Sequence, residues 1–96
     1  MKKTIEGKRY DTETAKQIGY MRSDVGKNSF SFWEETLYQK KTGEYFLHGF
    51  GHAATRYRKQ IGESCWTCGE KIVPLTEKQA EDWIKKADDE GWLALI

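Results

Sequence analysis

The spacing of histidine and cysteine constrains the fold of this chain more than any other feature of its sequence. The chain contains two of each, and they follow the pattern H-x3-H-x12-C-x2-C at His48, His52, Cys65 and Cys68. Zinc binds four nitrogen or sulfur ligands in a tetrahedron, and each closely spaced pair can supply one edge of it. We therefore expect these side chains to bind one structural Zn²⁺ ion. Four protein ligands would leave no position for water, so a catalytic zinc is not expected.

Glycines next to the candidate ligands fit the same interpretation. Gly49 and Gly51 lie between the two histidines, and Gly69 follows the second cysteine directly. Backbone freedom at these positions would let the paired side chains turn toward one ion. Two alternatives stay open. One is a redox-active cysteine pair, although the sequence does not indicate the βαβ context that such a motif needs. The other is a pair of ordinary surface or hydrogen-bonded histidines with no metal.

The length of the chain explains why a metal staple would be useful. With 96 residues, the chain is expected to form a single domain over residues 1–96. Val, Ile, Leu and Phe number only 17, but four Trp, five Tyr and four Phe can each bury a large area. We therefore expect a folded domain with a thin, aromatic core, which is the kind of domain that a staple stabilises.

Charge and hydropathy exclude several classes of protein. The formal net charge is +1, which argues against a protein that binds nucleic acid or a membrane surface through its total charge. No apolar stretch is long enough to span a membrane. The first residues lack the apolar segment of a signal peptide, so we expect a cytoplasmic protein whose cysteines are reduced.

The clearest secondary-structure signal is a β-hairpin. Two aromatic-rich runs, residues 29–40 and 44–50, are joined by Lys41-Thr42-Gly43. The second run is apolar on both faces, which predicts a central strand. A change of apolar phase between Phe32 and Trp33 indicates a bulge.

The C-terminal part of the chain predicts a helix over residues 77–90. Thr76 and Gln79 have the spacing of a capping box, and Gly91 is a natural stop. The apolar positions recur at helical spacing, at Ala80, Trp83, Ile84 and Ala87. After the stop, residues 92–96 are expected to fold back onto the core.

Weaker signals complete the predicted architecture. Residues 2–5 and 8–10 predict a short hairpin or an extended arm around a glycine, and residues 71–73 predict a short strand. Residues 12–21 and 52–64 predict short helical segments. The expected fold is therefore α+β, with a small antiparallel sheet and a packed C-terminal helix, stapled by a structural zinc site.

Catalytic patterns do not occur in the sequence. It contains no nucleophile elbow, Walker loop, dinucleotide fingerprint or H-E-x-x-H motif, so we expect a protein that is not an enzyme. The paired carboxylates Glu34-Glu35 and Asp88-Asp89 are expected to be ordinary solvated charges.

Two charged segments are candidate contact surfaces. Residues 77–96 carry a net charge of −3 and could dock on a basic partner. The candidate partner-binding residues there are Glu81, Asp82, Asp88 and Asp89. The basic segment 56–59 could instead contact phosphates. For both segments, an exposed face in contact only with water is the alternative.

Three stretches carry a resemblance when taken in order: KRYDT at residues 8–12, followed by Ala15, LYQKKTGEYFL at 37–47, and VPLTEKQAEDW at 73–83. Together they resemble a family of small proteins encoded on prophages and other mobile elements. Some members are anti-CRISPR inhibitors that block type II-A Cas9. Many relatives lack the histidine and cysteine set, so the zinc prediction rests on this sequence alone.

The resemblance implies a function. It implies a non-enzymatic inhibitor that binds Cas9, or the Cas9–guide RNA complex, in the bacterial cytoplasm and blocks DNA binding or cleavage. Direct binding to nucleic acid is not expected under this interpretation. The alternative is a zinc-dependent nucleic-acid-binding regulatory protein of a phage or mobile element.

Overall fold

The computed structural model of the chain describes residues 1–92. Its elements are β1 (Lys2–Ile5), β2 (Lys8–Asp11), β3 (Lys16–Arg22), β4 (Trp33–Gln39), β5 (Tyr45–Gly51), β6 (Lys59–Gln60), β7 (Trp66–Thr67), β8 (Gly69–Leu75) and α1 (Glu77–Asp89). A four-stranded antiparallel sheet has the order β3-β4-β5-β8, while β1–β2 and β6–β7 each form a two-stranded ribbon. The predicted α+β class, with antiparallel sheets and a C-terminal helix, is confirmed.

The β4–β5 hairpin forms the centre of the sheet, as the sequence predicts. The Lys40 amide donates to the Glu44 carbonyl at 2.8 Å, and Gly43 closes the turn with a φ of 96°, which favours glycine. The bulge lies elsewhere than expected. β4 begins at Trp33, and the register shift lies in β3 between Gln17 and Gly19.

One face of the sheet is covered by α1. Side chains from β3, β4 and β5 pack there against the apolar stripe of the helix, and the buried members of this core are Met21, Leu37, Leu47, Ala80, Trp83 and Ala87. The predicted capping box is present: the Gln79 amide donates to Thr76 Oγ1 at 3.1 Å, and the Thr76 amide donates to Gln79 Oε1 at 2.9 Å. The helix therefore begins where its sequence predicts.

The helix ends at Asp89, one residue before the predicted end at residue 90. Gly91 has a φ of 84°, and the Trp92 amide donates to the Ala87 carbonyl at 2.8 Å. Trp92 packs against the helix core. The rest of the segment expected to fold back, residues 93–96, lies outside the described residues.

The other face of the sheet is covered in part by the β1–β2 ribbon. Tyr10 of β2 contacts Phe46 edge-on at 5.3 Å between ring centroids, and Phe46 stacks on Tyr38 at 5.3 Å. Ile72 of β8 completes this second core. Because β5 lies between the two cores, it is apolar on both faces.

Two segments expected to be helical are not. Residues 16–22 form the edge strand β3, which supplies backbone partners to β4. Residues 52–58 are turns and irregular backbone, and the chain then enters the short strand β6. The strand expected at residues 71–73 is longer, because Gly69–Leu75 pairs with β5 along its whole length.

Candidate functional site

His48 lies on β5 and His52 directly follows it. Each imidazole ring contacts other side chains of the protein. His48 Nε2 lies 3.0 Å from Glu70 Oε2. The His52 ring makes edge contacts with Phe32 and Phe50, at 5.8 and 5.5 Å between centroids. Because side chains alternate along a strand, His48 and Phe50 share the face opposite α1.

The two cysteines lie on the segment that connects β5 to β8, and both are exposed free thiols. The Cys65 carbonyl accepts a hydrogen bond of 3.0 Å from the Ile61 amide, next to the β6–β7 pairing. Cys68 directly precedes β8. The β5–β8 ladder ends with Gly51 opposite Gly69, so the chain places His52 and Cys68 one residue beyond the same end of the ladder.

The four expected ligands do not form one cluster. Within residues 1–92, no three His, Cys, Asp or Glu side chains are arranged so that they could hold a metal ion. The structure brings two of the four ligand positions, His52 and Cys68, to the same end of the sheet. The zinc site therefore stays a prediction.

The glycines near these residues have a role in packing. A Cβ atom on Gly49 would overlap the ring of Tyr57, and one on Gly51 would overlap the Thr55 hydroxyl. A Cβ on Gly69 would overlap the Tyr57 carbonyl. The three glycines let residues 52–58 lie directly on the sheet. This is a sufficient reason for glycine, and it does not depend on a metal.

Glu35 is buried, so the expectation of a solvated Glu34-Glu35 pair is wrong for this residue. Glu35 is only 8% exposed. Its Oε1 accepts a hydrogen bond of 2.9 Å from Trp83 Nε1, and its Oε2 accepts one from the Tyr57 hydroxyl. Arg56 Nε lies 3.9 Å from the same Oε2. The carboxylate thus joins strand β4, helix α1 and the segment 52–58.

The position of Glu35 between two core residues of the strand indicates its burial. Its acidic neighbour Glu34 makes the two residues look like an exposed charged pair instead. Trp33, Glu35 and Leu37 are every second residue of β4. Trp33 and Leu37 pack in the core between the sheet and helix α1. A strand residue between two such positions must point toward the same core. A carboxylate there needs donors, and the Trp83 indole and Tyr57 hydroxyl supply them.

A cleft of about 730 Å³ lies beside this carboxylate, between α1 and the segment 54–57. Arg56 stands over the Tyr57 ring, with the guanidinium carbon 5.0 Å from the centroid, and Lys86 Nζ lies 5.8 Å from the Trp33 ring centroid. Burial, followed by the hydrogen bond to Glu35, raises the pKa of Tyr57. Tyr57 therefore remains a protonated donor, and both Glu35 oxygens stay engaged.

The four acidic residues expected to bind a partner are exposed on α1: Glu81, Asp82, Asp88 and Asp89. The middle of the helix has a mixed charge, because Lys78 Nζ lies 3.5 Å from Asp82 Oδ1 and Lys85 and Lys86 are also exposed. The end of the helix is acidic, since Asp88 and Asp89 precede the C-cap Glu90.

No helix within residues 1–92 is long and apolar enough to cross a membrane. Comparison of the sequence and the structure with protein-family models, with curated proteins and with solved structures finds no match.

Proposed function

We propose that this protein is a non-enzymatic anti-CRISPR inhibitor that binds a Cas9 effector complex and blocks DNA binding or cleavage. The resemblance in residues 8–12, 37–47 and 73–83 is the basis of the proposal, and in the structure these three stretches contact one another. Lys8 Nζ lies 2.8 Å from Glu44 Oε2, and Tyr10 contacts Phe46. β5 also pairs with β8 throughout its length. The resemblance therefore follows one contiguous part of the fold.

The observation that carries the proposal is the acidic end of α1. A helix C-terminus bears partial negative charge, so carboxylates at Asp88, Asp89 and Glu90 oppose the helix dipole and reduce stability. An exposed charge cluster that does not favour the fold is free to contact a basic partner. Cas9-type nucleases present long, positively charged channels for RNA and DNA, and an acidic helix end is complementary to them.

The experiment reverses the charge of Glu81, Asp82, Asp88 and Asp89 to Lys in one variant. DNA binding and DNA cleavage by purified type II-A Cas9 with guide RNA are measured separately, over a titration of the inhibitor. We expect inhibition to weaken at least tenfold, or about 1.4 kcal/mol. The melting temperature should stay near that of the wild type or rise slightly, because charge reversal at Asp88 and Asp89 favours the helix dipole.

A matched control reverses four exposed acidic residues outside α1: Glu6, Glu13, Asp24 and Glu63. This control has the same change in net charge and should retain inhibition. Full inhibition by the folded helix variant would place the contact surface elsewhere. If the wild type inhibits no Cas9 but binds duplex DNA with steep salt dependence, the nucleic-acid-binding regulator would replace this proposal.

The proposal includes a structural zinc ion held by His48, His52, Cys65 and Cys68. The His48–Glu70 contact fits this role, because metal-bound histidines usually donate their second ring N–H to a carboxylate. With Glu70 accepting from Nε2, the Nδ1 atom of His48 would be the ligand. His52 and Cys68 lie one residue beyond the end of the β5–β8 ladder, and a zinc ion bound there together with Cys65 would tie the segment 52–68 to β5.

A further inference from the structure

We propose that the cleft beside Glu35 binds a small aromatic carboxylate, with its ring against the aromatic side chains of the cleft and its carboxylate near Arg56 and Lys86. The cleft has a volume of about 730 Å³ and lies between α1 and the segment 54–57. This volume is in the range of sites that bind small organic molecules. The inference concerns a ligand other than Cas9 and does not depend on the proposed function.

Three parts of the fold line the cleft: strand β4, helix α1 and the segment 54–57. Trp83 of the helix and Tyr57 of the segment both donate hydrogen bonds to Glu35 of the strand. These bonds hold the three parts at fixed positions around the cleft. The walls are therefore in place before a ligand binds, which favours affinity because less order has to be imposed on binding.

The interior of the cleft is apolar and aromatic. Met21 and Leu47 of the sheet are buried and still line it, as does the partly buried Leu75. The Trp33 and Trp83 side chains also line the cleft. Aromatic rings pack favourably against one another edge-on or in offset stacks. The interior therefore fits a flat aromatic body better than a strongly polar molecule, whose groups would lose their hydrogen bonds to water.

Two exposed cations line the same cleft from opposite walls, Arg56 on the segment 54–57 and Lys86 on α1. Arg56 Nε lies 3.9 Å from Glu35 Oε2, and Lys86 Nζ lies 5.8 Å from the Trp33 ring centroid. Trp33 and Glu35 are two residues apart on β4, roughly 7 Å along one face of the strand. The two cations therefore lie over neighbouring positions of the strand, where both attract the anionic group of a ligand.

The acidic side chains that line the cleft already have partners. Glu35 accepts hydrogen bonds on both of its oxygens, and Asp82 Oδ1 lies 3.5 Å from Lys78 Nζ. No ion pair in the described part of the chain includes Lys86. The 3.9 Å between Arg56 and Glu35 exceeds hydrogen-bond distance, so Glu35 does not take up this donor. The cations are therefore the charged groups still available, and they select an anion.

The test titrates isotope-labelled protein with cinnamate and follows its backbone and indole N–H signals by NMR. Cinnamamide has the same aromatic body without a charge, and cinnamylamine carries a positive charge instead. We expect cinnamate to bind in the low millimolar range or below, as ordinary ligand efficiency gives for a molecule of this size. The Trp33 and Trp83 indole signals should shift, while that of Trp66 should not. Cinnamamide should bind at least about threefold more weakly, and cinnamylamine more weakly still.

Arg56→Gln and Lys86→Gln should each weaken cinnamate binding by about three- to fivefold, the upper range for an exposed ion pair. The matched controls are Arg58→Gln and Lys85→Gln, which remove the same charges from exposed side chains outside the cleft. They should bind cinnamate like the wild type. The double variant of Arg56 and Lys86 should bind cinnamate and cinnamamide with similar affinities. Retained binding of the amide shows that this variant is folded and that the loss comes from charge.

Three results would overturn the proposal: no shift of the Trp33 and Trp83 signals with cinnamate, equal losses in the cleft and control variants, or binding of the amide or the amine as tight as that of cinnamate. Tight binding of the amine would show that Glu35 and Asp82 dominate the charge of the cleft. Because the assay contains no Cas9, its outcome is independent of the inhibition experiment.

Discussion

The Trp83 indole nitrogen donates a hydrogen bond of 2.9 Å to Glu35 across 48 residues of sequence. The bond joins the helix to the sheet at a point that the Tyr57 hydroxyl also reaches. No buried side-chain nitrogen or oxygen atom within residues 1–92 lacks a partner. The carboxylate therefore stabilises the fold only as long as both donors remain in place.

Glu35→Ala should lower the free energy of unfolding by on the order of 2–4 kcal/mol, because it leaves two buried donors without an acceptor. Glu35→Gln should cost less, since an amide can accept from the Trp83 indole and donate to the Tyr57 oxygen. Urea unfolding of both variants measures the difference. The exposed Glu81→Ala is the control and should change stability little. Equal losses for the alanine and glutamine variants would contradict this role of Glu35.

Gly49→Ala should destabilise the protein by roughly 1–3 kcal/mol, because the new methyl group overlaps the Tyr57 ring. Gly26→Ala is the matched control, since a Cβ there would meet nothing within 4 Å. Thermal unfolding in the presence of a chelator removes any contribution from zinc. If Gly49→Ala destabilises only the zinc-loaded protein, the packing explanation for this glycine is wrong.

The free energy of unfolding should fall at alkaline pH, and the ionisation of Tyr20 should account for part of this fall. Burial, followed by the hydrogen bond to Glu34, raises the pKa of Tyr20 to about 12. A raised pKa favours folding while the unfolded tyrosine is still protonated, below a pH of about 10. This contribution is lost as the pH rises from about 10 through the folded-state value.

The measurement compares the wild type with Tyr20→Phe by urea unfolding at several pH values between 8 and 12. The wild type should be the more stable of the two at pH 8, and the difference should shrink above pH 10. A difference that stays constant over this range would show that Tyr20 ionises alike in both states.

One equivalent of zinc per chain is expected after purification without a chelator. Structural zinc can contribute on the order of 10 kcal/mol in small domains, so chelation should lower the melting temperature strongly. The packed aromatic core should prevent complete unfolding.

Cys65→Ser and His52→Ala should each reduce the bound zinc, as measured by elemental analysis. Glu70→Gln should weaken zinc affinity by about 10- to 100-fold if Glu70 orients the His48 ring.

Full occupancy in both ligand variants would show that the ligand assignment is wrong. An unchanged melting curve, with metal removal verified, would show that any bound zinc is not structural.

The elements predicted correctly from the sequence are those with local signals. Helix α1 carries its own cap, its apolar stripe and its stop at Gly91, all within residues 76–91. The β4–β5 hairpin has a glycine at the position where the turn needs a positive φ, Gly43. Such signals act over a few residues and do not depend on distant parts of the chain.

The elements missed are those decided by distant partners. Residues 16–22 form a strand because their backbone pairs with the edge of β4. The segment 52–58 is held by packing against Gly49, Gly51 and Gly69, which no helical period reveals. The donors that the buried Glu35 carboxylate needs come from Trp83, 48 residues away, and from Tyr57. For the candidate metal site, the sequence gives ligand types and spacing, while the approach of Cys65 to the sheet depends on the path of residues 52–68.

The link between Glu35, Tyr57 and Trp83 also has a consequence for the order of folding. The β4–β5 hairpin closes over a short loop, whereas the carboxylate needs two donors that arrive from distant segments. We therefore expect this link to form after the main barrier has been crossed. Weakening it with Tyr57→Phe should accelerate unfolding and leave the refolding rate nearly unchanged. The buried carboxylate would thus act mainly on the lifetime of the native state.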